Sequence, residues 1–458
     1  MIEVVRAFDR TPIAEIASDD RAALDRKLDA SSRVFADRGQ WLATHRRIHI
    51  LRRIAELMEG KREHLGRQIA LEGGKPLSDA LAETDRAIDG VRNAADELRV
   101  RAGREIPMGL TPASERRRAF TIAEPSGVVA AISAFNHPLN LIVHQVAPAI
   151  AVGCPVVVKP ANTTPLSCIE FVELVHEAGL PPEWCQTFLP ETNELAEALA
   201  TDPRVAFLSF IGSAKVGWYL RSKLPPGTRC ALEHGGAAPA IIDRSADLDR
   251  LIEPMAKGGY YHAGQVCVST QRIFVHADLH EAFLERFAAR VAALRVGDPA
   301  LAETEVGPLI LPREADRVSS WIEEAVAGGA RLLGGGRLSE TTLVPSVLVN
   351  PPQHAKVSTL EVFGPTTCVY PFTRIDDAIA RANGLPFAFQ SSIFTKDLST
   401  AFDAAERLAA AAVMVNDHTA FRTDWMPFAG LRQSGYGIGG IPWTMDEMSQ
   451  EKMIVFRM

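Results

Sequence analysis

At 458 residues the chain is about three times a typical domain, so two or three structural units are expected. Apolar residues make up 47% of it, enough for a large core, and its formal charge of −7 speaks against nucleic acid or an acidic membrane surface, whose phosphates call for a basic face. No apolar run approaches the roughly 20 residues that cross a bilayer, and the amino terminus lacks the basic-then-apolar order of a secretory signal. The six cysteines are scattered without a CxxC pair, which suits a reducing cytoplasm and predicts neither a disulfide framework nor a metal site.

Helical periodicity dominates Asp20 to Val100. It breaks at "EGGKPLSDA", where Gly73, Gly74 and Pro76 punctuate and Ser78 is placed to cap the next helix. From Arg101 to Pro125 two β-leaning pieces around Pro and Ser predict a protruding hairpin, and "ERRRAF" within it reads as a solvated strand end. Strand and helix signals then alternate: "GVVAAIS", "LNLIVHQVAPAIAVG", "PVVVKP", "LSCIEFVELVHEAG" and "RVAFLSFIGS". Fully apolar strands separated by amphipathic helices predict parallel βαβ units covered on both faces. The alternation restarts near Gly235 and runs to about Tyr370, so the fold class is α/β, with two doubly wound parallel-sheet domains in series. The tail "EKMIVF" is one more strand, suited to adding to a sheet edge, of this chain or of another subunit.

Several strand ends carry residues with chemical potential. "LSFIGSAKVG" runs from strand through Gly212 and Ser213 into a helix start, whose N–H groups can hold a phosphate, although such a turn needs Gly and Ser in any case. Lys159 ends the strand "VVVK", beyond which ligands of open parallel sheets bind. Asn136 follows another strand and can be an oxyanion donor or a plain helix cap. Glu233, beside Gly235 and Gly236, and Glu361 in "LEVFGP" can each be a general base or a surface acid beside a turn. Cys267, in "HAGQVCVST", has small neighbours that leave room for a nucleophile, which would still require a lowered pKa or an adjacent base.

Taken in order, "SAFNHP", "VVVKPAN", "FIGSAKVG", "LEHGG", "GQVC", "EVFGP" and "PFAGLRQSG" resemble the aldehyde dehydrogenase superfamily over nearly the whole chain, and its bacterial lactaldehyde and glyceraldehyde-type branch most. The resemblance implies an NAD(P)-binding domain from residues 1–103 and 126–234, a catalytic domain from 235–440 and small β oligomerisation elements from 104–125 and 441–458. A homodimer or homotetramer is implied as well. It makes Cys267 the nucleophile, Asn136 with the Cys267 N–H the oxyanion hole, and Glu233 the base for the hydrolytic water. Lys159 and Glu361 would hold ribose hydroxyls, and Gly212 and Ser213 would approach the pyrophosphate. Phe363, Ile132, Phe135 and Asn162 would complete the site of NAD or NADP.

Four positions depart from the common pattern. Ala237 stands where a lysine is usual, His234 where an apolar residue is usual, and Gly439 where a second acid is usual, which throws more of the base role onto Glu233. Asn162 replaces a glutamate that in NAD-preferring relatives repels a 2′-phosphate, so dual use of NAD and NADP is expected. The lining that the resemblance assigns to the substrate includes His137, Asn140, His144, Arg422 and Phe428, a polar set that predicts a small, anionic aldehyde. An Arg422 engaged by Asp424 would weaken that reading. Acyl transfer to coenzyme A is the alternative reaction, opposed by Glu233, and a non-catalytic protein on the same fold is the third reading, opposed by the set Asn136, Glu233 and Cys267.

Overall fold

The computed structural model describes all 458 residues. The first sheet has six strands in the order Gly435–Tyr436, Arg229–Glu233, Val205–Ile211, Val128–Ile132, Val156–Lys159 and Cys185–Thr187, all parallel except the first. Residues along its central strands alternate between two apolar environments. Val129, Ala131, Val156, Val158 and Phe207 enter one core, with helices Thr44–Gly60, Leu77–Glu97, Asn140–Val152 and Leu166–Glu177. Val128, Ala130, Ile132, Leu208 and Phe210 enter another, with Leu24 and Leu28 of helix Arg21–Ala36. A strand buried on both faces has no polar side to show, which is why these segments read as unbroken apolar runs.

The second sheet has seven strands in the order Arg331–Gly334, Ser346–Val349, Thr366–Phe372, Thr270–His276, Ala238–Ile242, Gln390–Phe394 and Ala412–Val415, parallel except for the first. Its own core is built around Ile241, Phe274, Phe283, Val347 and Val369. The fold is therefore α/β with two doubly wound parallel sheets, as the sequence predicts. A smaller antiparallel sheet places Arg117–Pro125 between Glu105–Ile106 and the tail strand Ser449–Arg457. The tail thus pairs within its own chain over nine positions, and its outer edge has no partner strand. No helix is long and apolar enough to cross a membrane.

Ser78 does not cap its helix. Helix Leu77–Glu97 has Pro76 at its N-cap, and the Leu77 N–H donates to the Pro299 carbonyl at 2.8 Å. Pro76 has no side-chain acceptor to offer the free N–H groups of the first turn, so a distant carbonyl takes one of them and Ser78 lies inside that turn.

The two large sheets meet across a cleft in opposite senses. Carboxyl ends of the first sheet deliver Lys159, Gly212 and Glu233, with Asn136 just beyond the strand Val128–Ile132. Amino ends of the second sheet deliver Gly235–Gly236 before Ala238–Ile242, Cys267 before Thr270–His276, and Glu361 and Phe363 before Thr366–Phe372.

Candidate active site

The cleft is a cavity of about 790 Å³, a size ordinary for a cofactor and a small substrate together. Every candidate site residue named from the sequence borders it except His144.

Cys267 is half-buried, whereas the other five cysteines are buried. Its approach is strained: His262, Ala263 and Gly264 take φ of 47°, 54° and 71° in succession, a conformation that only glycine adopts without cost. At Gly264 a Cβ would overlap the Gly364 carbonyl, so this glycine is required by close packing as well as by φ. Both ring nitrogens of buried His262 lack a hydrogen-bond partner. Asn136 braces the loop, its Nδ2 donating to the Gln265 carbonyl at 2.9 Å. An amide nitrogen has two hydrogens, so one remains for an oxyanion in the cavity.

Burial pushes the Cys267 thiol up to about 12, opposed by nearby Arg422 and reinforced by the charges of Glu233 and Glu361. Burial likewise raises Glu233 above the usual carboxylate range, again opposed by Arg422. A carboxylate made more basic and bordering the same cavity as the thiol is what a general base for water needs. Glu361 is pushed up to about 7 by burial, and its Oε1 accepts from the Gly236 N–H at 3.1 Å. A Cβ at Gly235 would overlap that carboxylate, which accounts for the first glycine of the pair.

Along the strand ends of the first sheet, Lys159 Nζ donates to the Pro160 carbonyl at 2.9 Å and to Asn162 Oδ1 at 3.1 Å. Burial lowers this ammonium to about 8. Ser213 makes no side-chain cap for helix Ala214–Arg221, which leaves that helix start to an anion. Phe135 and Phe363 meet edge to face at 6.0 Å, and Phe363 holds φ 47° to do so. An ammonium, an uncapped helix start and a ring pair are a donor set that fits a nicotinamide dinucleotide.

Elsewhere on the cavity wall, Arg422 stacks on Phe428, with Cζ 3.5 Å from the ring centroid. It forms no ion pair with Asp424. That carboxylate is taken by Arg86, with Nη2 to Oδ1 at 2.8 Å and Nε to Oδ2 at 3.1 Å, by His144 Nε2 at 2.7 Å and by Asn140 Nδ2 at 3.1 Å. Burial opposes ionisation of Asp424, but these bonds hold it well below the usual carboxylate range. His144 is lowered to about 4 by burial and by Arg422, so the neutral ring donates from Nε2 to Asp424 and accepts at Nδ1 from Arg422 Nη2, 3.2 Å away. His144 therefore stands behind Arg422 rather than in the cavity. His137 does border the cavity, but its Nδ1 is 2.6 Å from buried Lys75 Nζ, which is itself paired with Glu83. Glu83 Oε1 accepts from the Leu139 and Asn140 N–H groups, 3.0 and 3.1 Å away, at the start of helix Asn140–Val152. Sequence reasoning passed over Lys75, Glu83 and Arg86, and weighed Asp424 only as a partner for Arg422, whereas it pairs with Arg86.

The sequence pattern described as the Aldehyde dehydrogenase family matches residues 1–454. The chain belongs to the aldehyde dehydrogenase family. It is 35% identical over 462 residues to a 3-sulfolactaldehyde dehydrogenase of Priestia aryabhattai, covering 100% of this chain and 95% of that protein. Two solved structures superpose over 100% of it. Aldehyde dehydrogenase 21 from Physcomitrella patens, in complex with the reaction product succinate, has a TM-score of 0.96, 33% identity and 95% of its own chain covered. The glyceraldehyde-3-phosphate dehydrogenase GapN of Methanocaldococcus jannaschii, complexed with NADP, has a TM-score of 0.95, 32% identity and 99% covered. The dehydrogenase is thus an NAD(P)-dependent enzyme acting on an aldehyde.

Two of its departures have a structural account. The His234 ring fills the space over Gly217, where a Cβ would overlap it, and its Nδ1 lies 2.9 Å from the Gly212 carbonyl, which ties one strand end to the next. Small Ala237 borders a void of about 10 Å³ shared with Cys267, Gln390 and Ser391. The buried Gln390 amide and Ser391 hydroxyl have no protein partner, and a void of this size holds about one water.

Proposed function

We propose that this dehydrogenase oxidises a small aldehyde with an anionic tail to its carboxylate, through a covalent intermediate on Cys267. The observation that carries the anionic tail is Arg422, a guanidinium bordering the cavity of Cys267 and held by a neutral histidine and a ring, with no carboxylate hydrogen-bonded or ion-paired to it. Glu233 and Asp424 act on it only through space, so its remaining N–H donors are free to pair with an anionic ligand. The acidic names among the relatives support it, since sulfolactaldehyde carries a sulfonate and succinate is bound in the moss enzyme.

Cys267 gives its proton to water in the cavity and its sulfur adds to the aldehyde carbon, while Asn136 Nδ2 and the Cys267 N–H receive the negative oxygen; losing one such donor costs roughly 100- to 1000-fold in rate. When bound, the nicotinamide dinucleotide, held by Lys159, Glu361 and the turn at Gly212–Ser213, supplies the hydride acceptor. Glu233 then takes a proton from water, the resulting hydroxide adds to the thioester carbon, and the carbon–sulfur bond breaks to release carboxylate and Cys267. A carboxylate bordering the cavity favours water as the acyl acceptor over coenzyme A. Asn162 carries no charge to repel a 2′-phosphate, which supports the use of both NAD and NADP. The unpaired outer edge of Ser449–Arg457, with Met453, Val455 and Phe456 exposed, supports a homodimer or homotetramer joined through that strand.

The test is a panel of short aldehydes with sulfonate, carboxylate, phosphate and neutral tails, assayed for reduced cofactor with NAD and with NADP. Preference for an anionic tail supports the proposal. Equal or better use of neutral aldehydes of the same length refutes it.

A further inference from the structure

Gly439 sits in a short bridge, its N–H donating to the Phe428 carbonyl at 2.7 Å and its own carbonyl accepting from Phe428 N at 3.0 Å. Its φ lies outside the left-handed region, so the backbone by itself admits any L-residue there. Space does not. A Cβ at Gly439 would overlap Glu233 Oε1 and stand 3.1 Å from Glu233 Cδ and 3.0 Å from the Phe428 carbonyl. The approach is set by pairing, because Gly435, four residues earlier, lies opposite Glu233 in the first sheet.

No hydrogen bond holds the Glu233 carboxylate, and the Arg422 charge acts on it only through space. Glu361, Glu83 and Asp424 by contrast each accept from a protein N–H. Shape is its only fixed neighbour on that side. A glycine required neither by φ nor by a turn, with a carboxylate lying where its side chain would be, is a seat.

We propose that Gly439 is the positioning residue for Glu233: the missing side chain leaves the space in which the carboxylate rests within reach of the acyl-enzyme. This rests on the reading of Glu233 as the base for thioester hydrolysis.

Gly439→Ala tests it, since the overlapping atom is the far end of a flexible side chain and will move before the backbone does. The expected variant melts with the parent, keeps a first-turnover burst of reduced cofactor, and accumulates an acyl adduct on Cys267 by intact-protein mass. Its steady-state turnover falls at least about tenfold, part of the roughly 100- to 10,000-fold that a positioned base contributes. In a Glu233→Ala background the same substitution should change neither the steady rate nor the adduct level. A Gly439→Ala enzyme within about twofold of the parent, without adduct, overturns the proposal, as does an equal further slowing of Glu233→Ala. Should Gly439→Ala melt early, parental melting of the Glu233→Ala/Gly439→Ala double variant assigns the loss to the same overlap and supports the seat. A double variant that still melts early overturns it. Glu233→Gln, run alongside, separates the two ideas: a parental rate there removes the base itself, whereas a slow Glu233→Gln beside a fast Gly439→Ala removes only the seat.

Discussion

Replacing Arg422 by leucine removes the one cation that stacks on Phe428 and faces Cys267, while leaving the Arg86–Asp424 pair and its bonds to Asn140 and His144 intact. The loss for an anionic substrate can be worked out from the contacts. A hydrogen bond to a charged group contributes about 1.5–3 kcal/mol, and a guanidinium offers two, so an anionic tail should lose about 3–6 kcal/mol of transition-state binding. With each 1.4 kcal/mol a factor of ten, kcat/KM should fall by about 100- to 20,000-fold for a sulfonated or carboxylated aldehyde. A neutral aldehyde of the same length should lose less than about tenfold, through weaker support of the Cys267 thiolate alone. The assay is kcat/KM for both substrates in parent and variant, and the quantity read is their ratio. His144 Nδ1 loses its donor in the variant, so a melting curve is needed to show that the fold survives. An unchanged ratio in a folded variant refutes the reasoning, however far both rates fall.

Other outcomes follow from the same geometry. Lys75→Met leaves the buried Glu83 carboxylate without its cation and should destabilise by about 3–5 kcal/mol in denaturant titration, with part recovered in the Lys75→Met/Glu83→Gln double variant; parental stability of the single variant contradicts the pair. Burial holds His137 and His144 at about 4, below the value of an unfolded histidine, so their stabilisation is complete above about pH 6.5 and is lost as pH falls toward 4. Melting temperature should therefore decline steadily over that window, and His144→Gln should flatten the decline; a flat parental profile contradicts it. Because burial raises the Cys267 thiol, its alkylation without cofactor should accelerate about tenfold per pH unit from pH 7 to 9 while remaining faster than at the five buried cysteines, and a plateau below pH 8 contradicts that. Turnover with NAD and NADP should differ by less than about 1000-fold, since Asn162 binds Lys159 and repels no phosphate; a larger preference for NAD refutes dual use.

Much of the fold was legible because parallel strands buried on both faces must be apolar throughout, as in "GVVAAIS" and "VVVK". The strand ends, and with them Lys159, Gly212 and Glu233, followed from that. The loop at Cys267 was legible through its small residues, but not its strain, since nothing in "YHAGQ" announces left-handed φ at His262 and Ala263. Long-range polar contacts were not legible at all. His144 and Asp424 are 280 residues apart and Arg86 and Asp424 are 338 apart, so His144 read as a cavity residue when it is the support of one. Ser78 read as a cap because the sequence does not show that Pro299 supplies the acceptor. Gly439 read as the loss of an acid, whereas in the folded chain its missing side chain is filled by Glu233.

The covalent intermediate is the centre of the account, and intact-protein mass after rapid quenching addresses it most directly. With NAD(P) and a reactive aldehyde, Glu233→Gln should carry one acyl group, mapped to Cys267, and Cys267→Ala should carry none and turn nothing over. A Cys267→Ala enzyme that still oxidises aldehyde, or an acyl group found on another residue, would contradict it.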